Sequence, residues 1–400
     1  MLNWSIRAKQ HLLKAGSKLI RYKNPTLIEG KGSVGQLAVQ MQKWNLQHVF
    51  IVTDERLLEL RLLDSLLSSL QEAGIRYTIF DQVQQNPTIE NVEAARKMYI
   101  ENKCDSIIAF GGGSPMDCAK IAAARVSNPE IAITKMKGYF KVRKKIPPLY
   151  AVPTTAGTGS EATIAAVITD PARQEKFAIS DVKLTPKIAV LDPELTIGLP
   201  PHITAATGMD VLTHAIESFI GVFSTPYTED LSKKAVRIVF QHLEHVYHNG
   251  EDIKAREEML RASYYAGMAF TRASIGYVHA IAHQFGGLYH IPHGLANAIV
   301  LPYILEYYGE TIEEELAELA IAAEIHEASE SSAALAVKFI KRIKQMNKQM
   351  NIPNIVSSLK EEDIPLIAQR ALMEANHSYP VPKIMNKKDC EMIIKKMLPN

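Results

Sequence analysis

A change of rhythm near the midpoint is what most constrains this chain. Before residue 200, short apolar runs alternate with helical stretches, whereas beyond it helical periodicity runs almost alone. Strand-length runs lie at 26–29, 48–53, 75–80, 106–110, 149–152 and 187–191, several of them rich in β-branched residues. Leucines at helical spacing fill 56–73, and Thr88 reads as the cap of a helix reaching about residue 103. Strand–helix alternation at roughly 25–30 residues per unit predicts a doubly wound parallel sheet. Runs at 164–169 and 177–180 flank Asp170-Pro171-Ala172-Arg173 and predict a hairpin. Gly198-Leu199-Pro200-Pro201 then punctuates the chain, and 231–247, 257–270, 311–327 and 333–350 read as helices. The expected organisation is a basic extension over 1–25, an α/β domain over 26–200 and an all-helical domain over 201–400.

Composition removes several function classes. With 400 residues, 47% hydrophobic and 22% charged, the chain is neither disordered nor a small disulfide scaffold. Its 45 basic and 43 acidic side chains leave a net charge of +2, which offers nucleic acid no electrostatic footprint. Cys104, Cys118 and Cys390 fall at no metal or redox spacing, which suggests a reducing, cytoplasmic setting. No run reaches the ~18 apolar residues of a membrane span, so a soluble protein without a membrane partner is expected. Residues 1–28 hold no acid but carry Arg7, Lys9, Lys14, Lys18, Arg21 and Lys23, interleaved with Leu2, Trp4, Ile6, Leu12, Leu13 and Leu19. Such a start reads as a surface helix or partner-contacting arm, with a transit peptide as the alternative.

The helical half carries the densest chemistry. Asp210 and His214 lie four apart, as do His279 and His283, so each pair shares one helix face. His293 follows ten residues later in Ile291-Pro292-His293-Gly294, where a helix breaks. One carboxylate with imidazoles suits Fe(II) or Zn(II) and serves Mg or Ca poorly. Taken singly, a histidine is more often a core or surface residue, and His242, His245 and His248 read as a solvated face. The apolar setting of His279 and His283, among Ile275, Val278, Ile281 and Phe285, sets them apart, because a stranded imidazole there costs free energy.

Three further segments suit a dinucleotide. The run at 106–110 passes into Gly111-Gly112-Gly113-Ser114 and a helix start, where backbone N–H groups and the helix dipole favour a pyrophosphate. A plain tight turn is the competing reading. Pro153-Thr154-Thr155-Ala156-Gly157-Thr158-Gly159-Ser160-Glu161 offers hydroxyls to phosphate or ribose, or else a helix start capped by Thr158 or Ser160. Asp54, ending the second strand, can accept from a ribose diol and repel a 2′-phosphate, or simply cap the next helix.

Together, GGGSPMDCAK at 111–120, PTTAGTGSEAT at 153–163, GMDVLTHAIES at 208–218 and HAIAHQFGGLYHIPHGLANAIVLP at 279–302 resemble the iron-containing (group III) alcohol dehydrogenase family. The likeness runs from about Thr26 to the C-terminus. It implies a Rossmann-like, dinucleotide-binding α/β domain followed by an all-α metal domain, the dehydroquinate synthase-like fold. It implies Asp210, His214, His279 and His293 as ligands of Fe(II), or of Zn(II), and His283 as a proton-relay group near the nicotinamide. It also implies that Gly112, Gly113 and Ser114 form the pyrophosphate turn, braced by Asp117. Thr154, Thr155 and Thr158 would contact the cofactor, and Asp54, Asn86 and Lys176 would reach its ribose or nearby atoms. The activity implied is hydride transfer between NAD, or NADP, and a small primary alcohol or aldehyde, in a homodimer. Glycerol dehydrogenase-like and dehydroquinate synthase-like enzymes are the alternatives. The second needs many basic residues around its metal, and residues 273–300 contain no Lys or Arg.

Overall fold

The structure, a computed structural model, describes residues 6, 7, 10, 14, 16, 20–173 and 175–399. Leu2, Trp4, Lys9, Leu12, Leu13, Lys18 and Leu19 of the expected amphipathic extension therefore lie outside the described residues. The chain forms two compact units: Tyr22–Gly198 with Glu251–Leu260, and Leu199–Gly250 with Arg261–Asn400, the latter joined by the described residues before Tyr22.

The strands of the first unit are β1 (Thr26–Glu29), β2 (His48–Val52), β3 (Arg76–Phe80), β4 (Ser106–Gly111), β5 (Gly138–Tyr139), β6 (Leu149–Pro153), β7 (Ala165–Asp170), β8 (Glu175–Ser180) and β9 (Ile188–Leu191). Six of them make one parallel sheet in the order β1-β9-β6-β4-β2-β3. Side chains alternate between its faces. Phe50, Val52, Ile107, Ala109, Leu149 and Ala151 enter one buried cluster, while Val49, Ile51, Ile108, Phe110, Tyr150 and Val152 enter the other. A sheet buried on both sides needs such continuous apolar runs, each large side chain contributing about 1.5–3 kcal/mol. The expected doubly wound sheet is thus present. Strand order reverses between β2 and its neighbour β4, and ligands of open α/β sheets bind beyond the carboxyl ends of strands at such a point.

β7 and β8 form the expected antiparallel hairpin, and β5 adds to β8. One local expectation needs correction, and one of two competing readings falls. The leucine-rich stretch is two helices, Glu55–Glu59 and Asp64–Glu72, because Arg61 adopts a left-handed φ of 58° between them. No α-helix starts at Thr158 or Ser160: the chain makes only a three-residue 3-10 turn, Ser160–Ala162, after Gly159 at φ 59°.

The second unit is all helical, as expected. The helix Pro201–Ile220 opens on a proline, which has no N–H to leave unpaired, and is buried continuously from Gly208 to Ile220. Pro226–His248 starts on a capping box made by Thr225 and Thr228. Helices Tyr277–Tyr289, His293–Tyr308 and Ile364–Ser378 supply the remaining site residues. Among the described residues no helix is long and apolar enough to cross a membrane.

Candidate active site

In the α/β unit the cofactor candidates gather at the carboxyl ends of β2, β4 and β6. Gly112 is the N-cap position of the helix Gly113–Ser127, which follows β4 directly. Gly111 sits at φ +142°, and a Cβ there would meet Pro115 Cγ at 2.6 Å, so only glycine allows the turn. The threonine loop lies against that turn. Thr154 N–H donates to Gly111 O at 3.1 Å. A Cβ on Gly112 would stand 3.4 Å from Thr155 Oγ1, and one on Gly113 3.0 Å from Thr158 Cγ2. Ser114 Oγ accepts from Asn86 N–H at 3.3 Å, and Lys176 Nζ donates to Asn86 Oδ1 at 2.8 Å, so these three also meet. Asp54 is the N-cap of Glu55–Glu59, its Oδ1 accepting from Leu57 N–H at 3.1 Å. The capping reading is therefore realised, and it coexists with a carboxylate at the end of β2.

Sequence reasoning missed how the threonine loop is held. Lys120, on the helix after the glycine turn, is 1% exposed. Its ammonium donates to five oxygens at 2.7–3.1 Å: Ser160 O and Oγ, Thr163 O and Oγ1, and Ala165 O. Asp117 accepts from Ser160 Oγ at 3.3 Å and from Val167 N–H at 3.0 Å. Burial pushes Asp117 up to about 6 and Lys120 down to about 8, each partly countered by the other's charge.

In the helical unit Asp210, His214, His279 and His293 each present one ligand atom, and the four atoms lie within 4.8 Å of one another. Three helices deliver them. Asp210 and His214 share a face of Pro201–Ile220, His279 enters one turn into Tyr277–Tyr289, and His293 begins His293–Tyr308. Gly294 permits this approach, since a Cβ there would stand 2.3 Å from Ala206 O and 3.3 Å from Asp210 Cβ. His279 Nε2 is 3.8 Å and His293 Nε2 3.6 Å from Asp210 Oδ1. His279 Nε2 is buried with no hydrogen-bond partner. An orphaned ring nitrogen aimed at a carboxylate and two more imidazoles is what a cation would satisfy, so the residues present fit a transition metal.

The surrounding carboxylates and amide were also missed. Glu217 Oε2 sits 2.6 Å from His279 Nδ1, and the same carboxyl accepts from Gly276 N–H at 2.8 Å and Val278 N–H at 2.7 Å. Burial lifts Glu217 to about 8 against those backbone donors. Burial, then the neighbouring His214, His293 and His283, hold His279 well below the usual imidazole range, so its ring is neutral, the form that ligates. Asn297 Nδ2 donates to Asp210 Oδ1 at 2.7 Å. His283 lies beside the quartet, its ring 5.3 Å from that of His293, and its Nδ1 is 2.7 Å from Glu374 Oε1. Tyr379 OH donates to the same Glu374 oxygen at 2.5 Å. Burial opposes ionisation of Glu374, but His283 and Tyr379 together hold its carboxyl below the ordinary value. Asn297, four residues after His293, and Glu217, three after His214, stood at spacings that point to the site, whereas Glu374 did not.

A doubly wound α/β unit and a helical unit bearing a carboxylate–trihistidine centre define a two-unit metalloenzyme. Comparison with known proteins narrows the class. Residues 24–193 match the model of iron-containing alcohol dehydrogenase, and 204–398 that of the Fe-containing alcohol dehydrogenase family, C-terminal. Alcohol dehydrogenase 4 of Saccharomyces cerevisiae is 37% identical over 379 residues, 94% of this chain and 97% of that protein. The NAD-dependent methanol dehydrogenase of Bacillus methanolicus is 35% identical over 94% of this chain and 98% of its own. The crystal structure of a 1,3-propanediol oxidoreductase superposes with a TM-score of 0.91 at 34% identity, covering 95% of this chain and all of that one. The chain belongs to the iron-containing alcohol dehydrogenase family and is a metal-dependent alcohol dehydrogenase.

Proposed function

We propose that this protein interconverts a small primary alcohol and its aldehyde, using NAD as hydride carrier and iron held by Asp210, His214, His279 and His293. One observation carries the reading: four ligand atoms within 4.8 Å, with a buried His279 nitrogen lacking a hydrogen-bond partner. When bound, the two groups supply Lewis acidity and hydride transfer. The chain's own residues supply position and proton handling. Glu217 fixes the orientation of the His279 ring through Nδ1, leaving Nε2 to face Asp210. Asn297 holds the Asp210 carboxylate through its amide. His283, tied at Nδ1 by Glu374, takes up or releases the substrate proton at Nε2. The glycine turn at 111–113, Ser114 and the 154–158 threonines take the pyrophosphate, with Asp117 bracing them. Asn86, Lys176 and Asp54 serve the ribose side. A homodimer is the assembly implied by the family likeness. A cytoplasmic setting agrees with three buried cysteines that are all unpaired thiols. The test is to purify without chelator, assay bound metal, and follow NADH and NADPH oxidation with C2–C6 aldehydes; a metal-free protein inactive on all of them sinks the reading.

Two expected outcomes follow from named residues. His283→Ala should retain iron while kcat falls by about 10²- to 10⁴-fold with an altered pH–rate profile. An unchanged profile would remove His283 from proton transfer. Asp54→Ser keeps a side-chain oxygen for the helix cap but removes the charge, so it should raise kcat/KM with NADPH while stability stays near the parent's. Cofactor-selectivity kinetics check this, and a parent already preferring NADPH contradicts the role given to Asp54.

A further inference from the structure

The segment before Tyr22 lies outside both family-model matches, which begin at residue 24 and end at residue 398, and the proposed chemistry gives it no task. Its described residues 6, 7, 10, 14 and 16 are helical, and Ile6 and Gln10 are buried. Arg7, Gln10 and Lys14 fall at i, i+3 and i+7, one face of a helix. All three donate to backbone carbonyls of the helical unit. Arg7 reaches Val381 O at 2.8 Å and Pro382 O at 2.5 Å, Gln10 Nε2 reaches Tyr379 O at 2.9 Å, and Lys14 Nζ reaches Val222 O at 2.5 Å. Arg7 also donates to Gln10 Oε1 at 2.8 Å, which sets the two side chains as one unit.

Those carbonyls lie at the ends of two particular helices. Val222 follows Gly221, the C-cap of Pro201–Ile220, which carries Asp210 and His214. Tyr379 is the C-cap of Ile364–Ser378, which carries Glu374, and Val381 and Pro382 follow after Pro380. Helix C-termini leave carbonyls unpaired and carry partial negative charge, so cations and amide donors are what they accept best. That accounts for cations at Arg7 and Lys14. The two helix ends are themselves joined, Val222 N–H donating to Pro380 O at 2.8 Å. Gly221 makes the close pass possible, since a Cβ there would stand 3.0 Å from Glu217 O and 3.3 Å from Pro380 O.

From that junction a short path runs to His283. Tyr379, whose carbonyl Gln10 holds, donates its hydroxyl to Glu374 Oε1, which is 2.7 Å from His283 Nδ1. In the last turn of that helix, three residues before Tyr379, Asn376 Oδ1 accepts from Tyr277 OH at 2.5 Å at the start of the helix bearing His279 and His283. Tyr277 OH in turn accepts from Met385 N–H at 2.9 Å, so one hydroxyl of that helix ties residue 376 to residue 385 on either side of the 379–382 stretch.

We infer that the N-terminal segment is an intramolecular clamp in which Arg7 and Gln10 pin the 379–382 stretch, Lys14 holds the Val222 carbonyl beside it, and the hold on Tyr379 sets, through Glu374, the orientation of His283. These are positioning residues, and the inference rests on the role proposed for His283. The experiment uses the full-length holoenzyme and its Arg7→Ala/Gln10→Ala variant, with Gln10→Ala alone as the milder change. Amide hydrogen exchange over 379–385 should speed up in both variants while iron content stays at the parent level. In the double variant kcat should fall about 10-fold at nearly constant KM, the low end of what outer partners of a site contribute. In a Tyr379→Phe background the same changes should cost little more, because the path to Glu374 is already cut. Unchanged exchange over 379–385 overturns the clamp, and so do losses that multiply fully with Tyr379→Phe. A parent chain inactive on every alcohol would sink the dehydrogenase reading instead, and the exchange measurement would still decide the clamp.

Discussion

His279→Ala should yield a protein that is folded, free of iron and without turnover. The position is exposed by only 1%, and its ring is enclosed by the other site groups, with centroids 4.5 Å from His214, 5.4 Å from His293 and 6.0 Å from His283. Alanine removes one of four donor atoms and takes from Glu217 Oε2 one of its two partners, leaving Gly276 N–H. A transition metal bound by three remaining groups in a widened cavity loses both a bond and the rigid geometry that selects it. Glu217→Gln separates these effects. It keeps the size of the side chain and one acceptor oxygen but replaces the other acceptor with an amide NH2 that faces an N–H donor, and the expected loss of metal affinity is about 10- to 100-fold. Metal analysis of protein prepared without chelator, alongside NADH oxidation, checks both. Full iron occupancy in His279→Ala would refute the ligand assignment at its centre.

The contrast between His279 and Glu217 shows what the chain reveals before it folds. The ligand pairs were legible because a helix repeats every 3.6 residues, so Asp210 and His214 had to share a face. The strands were legible because both sheet faces are buried, which demands unbroken apolar runs such as His48–Val52 and Ser106–Gly111. Glu217 reaches His279 across 62 positions, and Glu374 reaches His283 across 91. No periodicity encodes such a meeting, because it is set by how helices pack. The left-handed residue at Arg61 was hidden for a related reason. The leucine spacing continues through it, and only the backbone shows the break. The basic N-terminal stretch was legible only as a surface helix or arm, because its charge pattern does not say which groups its cations meet; Arg7 and Lys14 end on carbonyls of their own chain.

Lys120→Met should be the most damaging change outside the metal centre. Methionine nearly matches the lysine stem in volume, so no large cavity opens and packing around the helix Gly113–Ser127 survives. What goes is a buried ammonium with five oxygen partners. The carbonyls of Ser160, Thr163 and Ala165 lose that donor. Asp117 and Glu161, which burial already pushes up to about 6 and about 7, lose their nearest positive charge. Removing one partner from a buried charged group costs about 3–5 kcal/mol. For a unit of this size that corresponds to a fall in melting temperature of about 10 °C. The loss falls on one place, because Lys120 is what ties 160–165 to the helix that opens at the glycine turn. The threonine loop should loosen from that turn, and NADH affinity should drop more than stability alone explains. The quartet of Asp210, His214, His279 and His293 belongs to the other unit, so iron content should stay at the parent level. Calorimetry, NADH fluorescence titration and metal analysis on one preparation therefore give three separate readings. A variant that melts with the parent and binds NADH as tightly would show that the five-oxygen cage is ornamental and that Asp117, with the glycines and threonines, is enough to hold the loop.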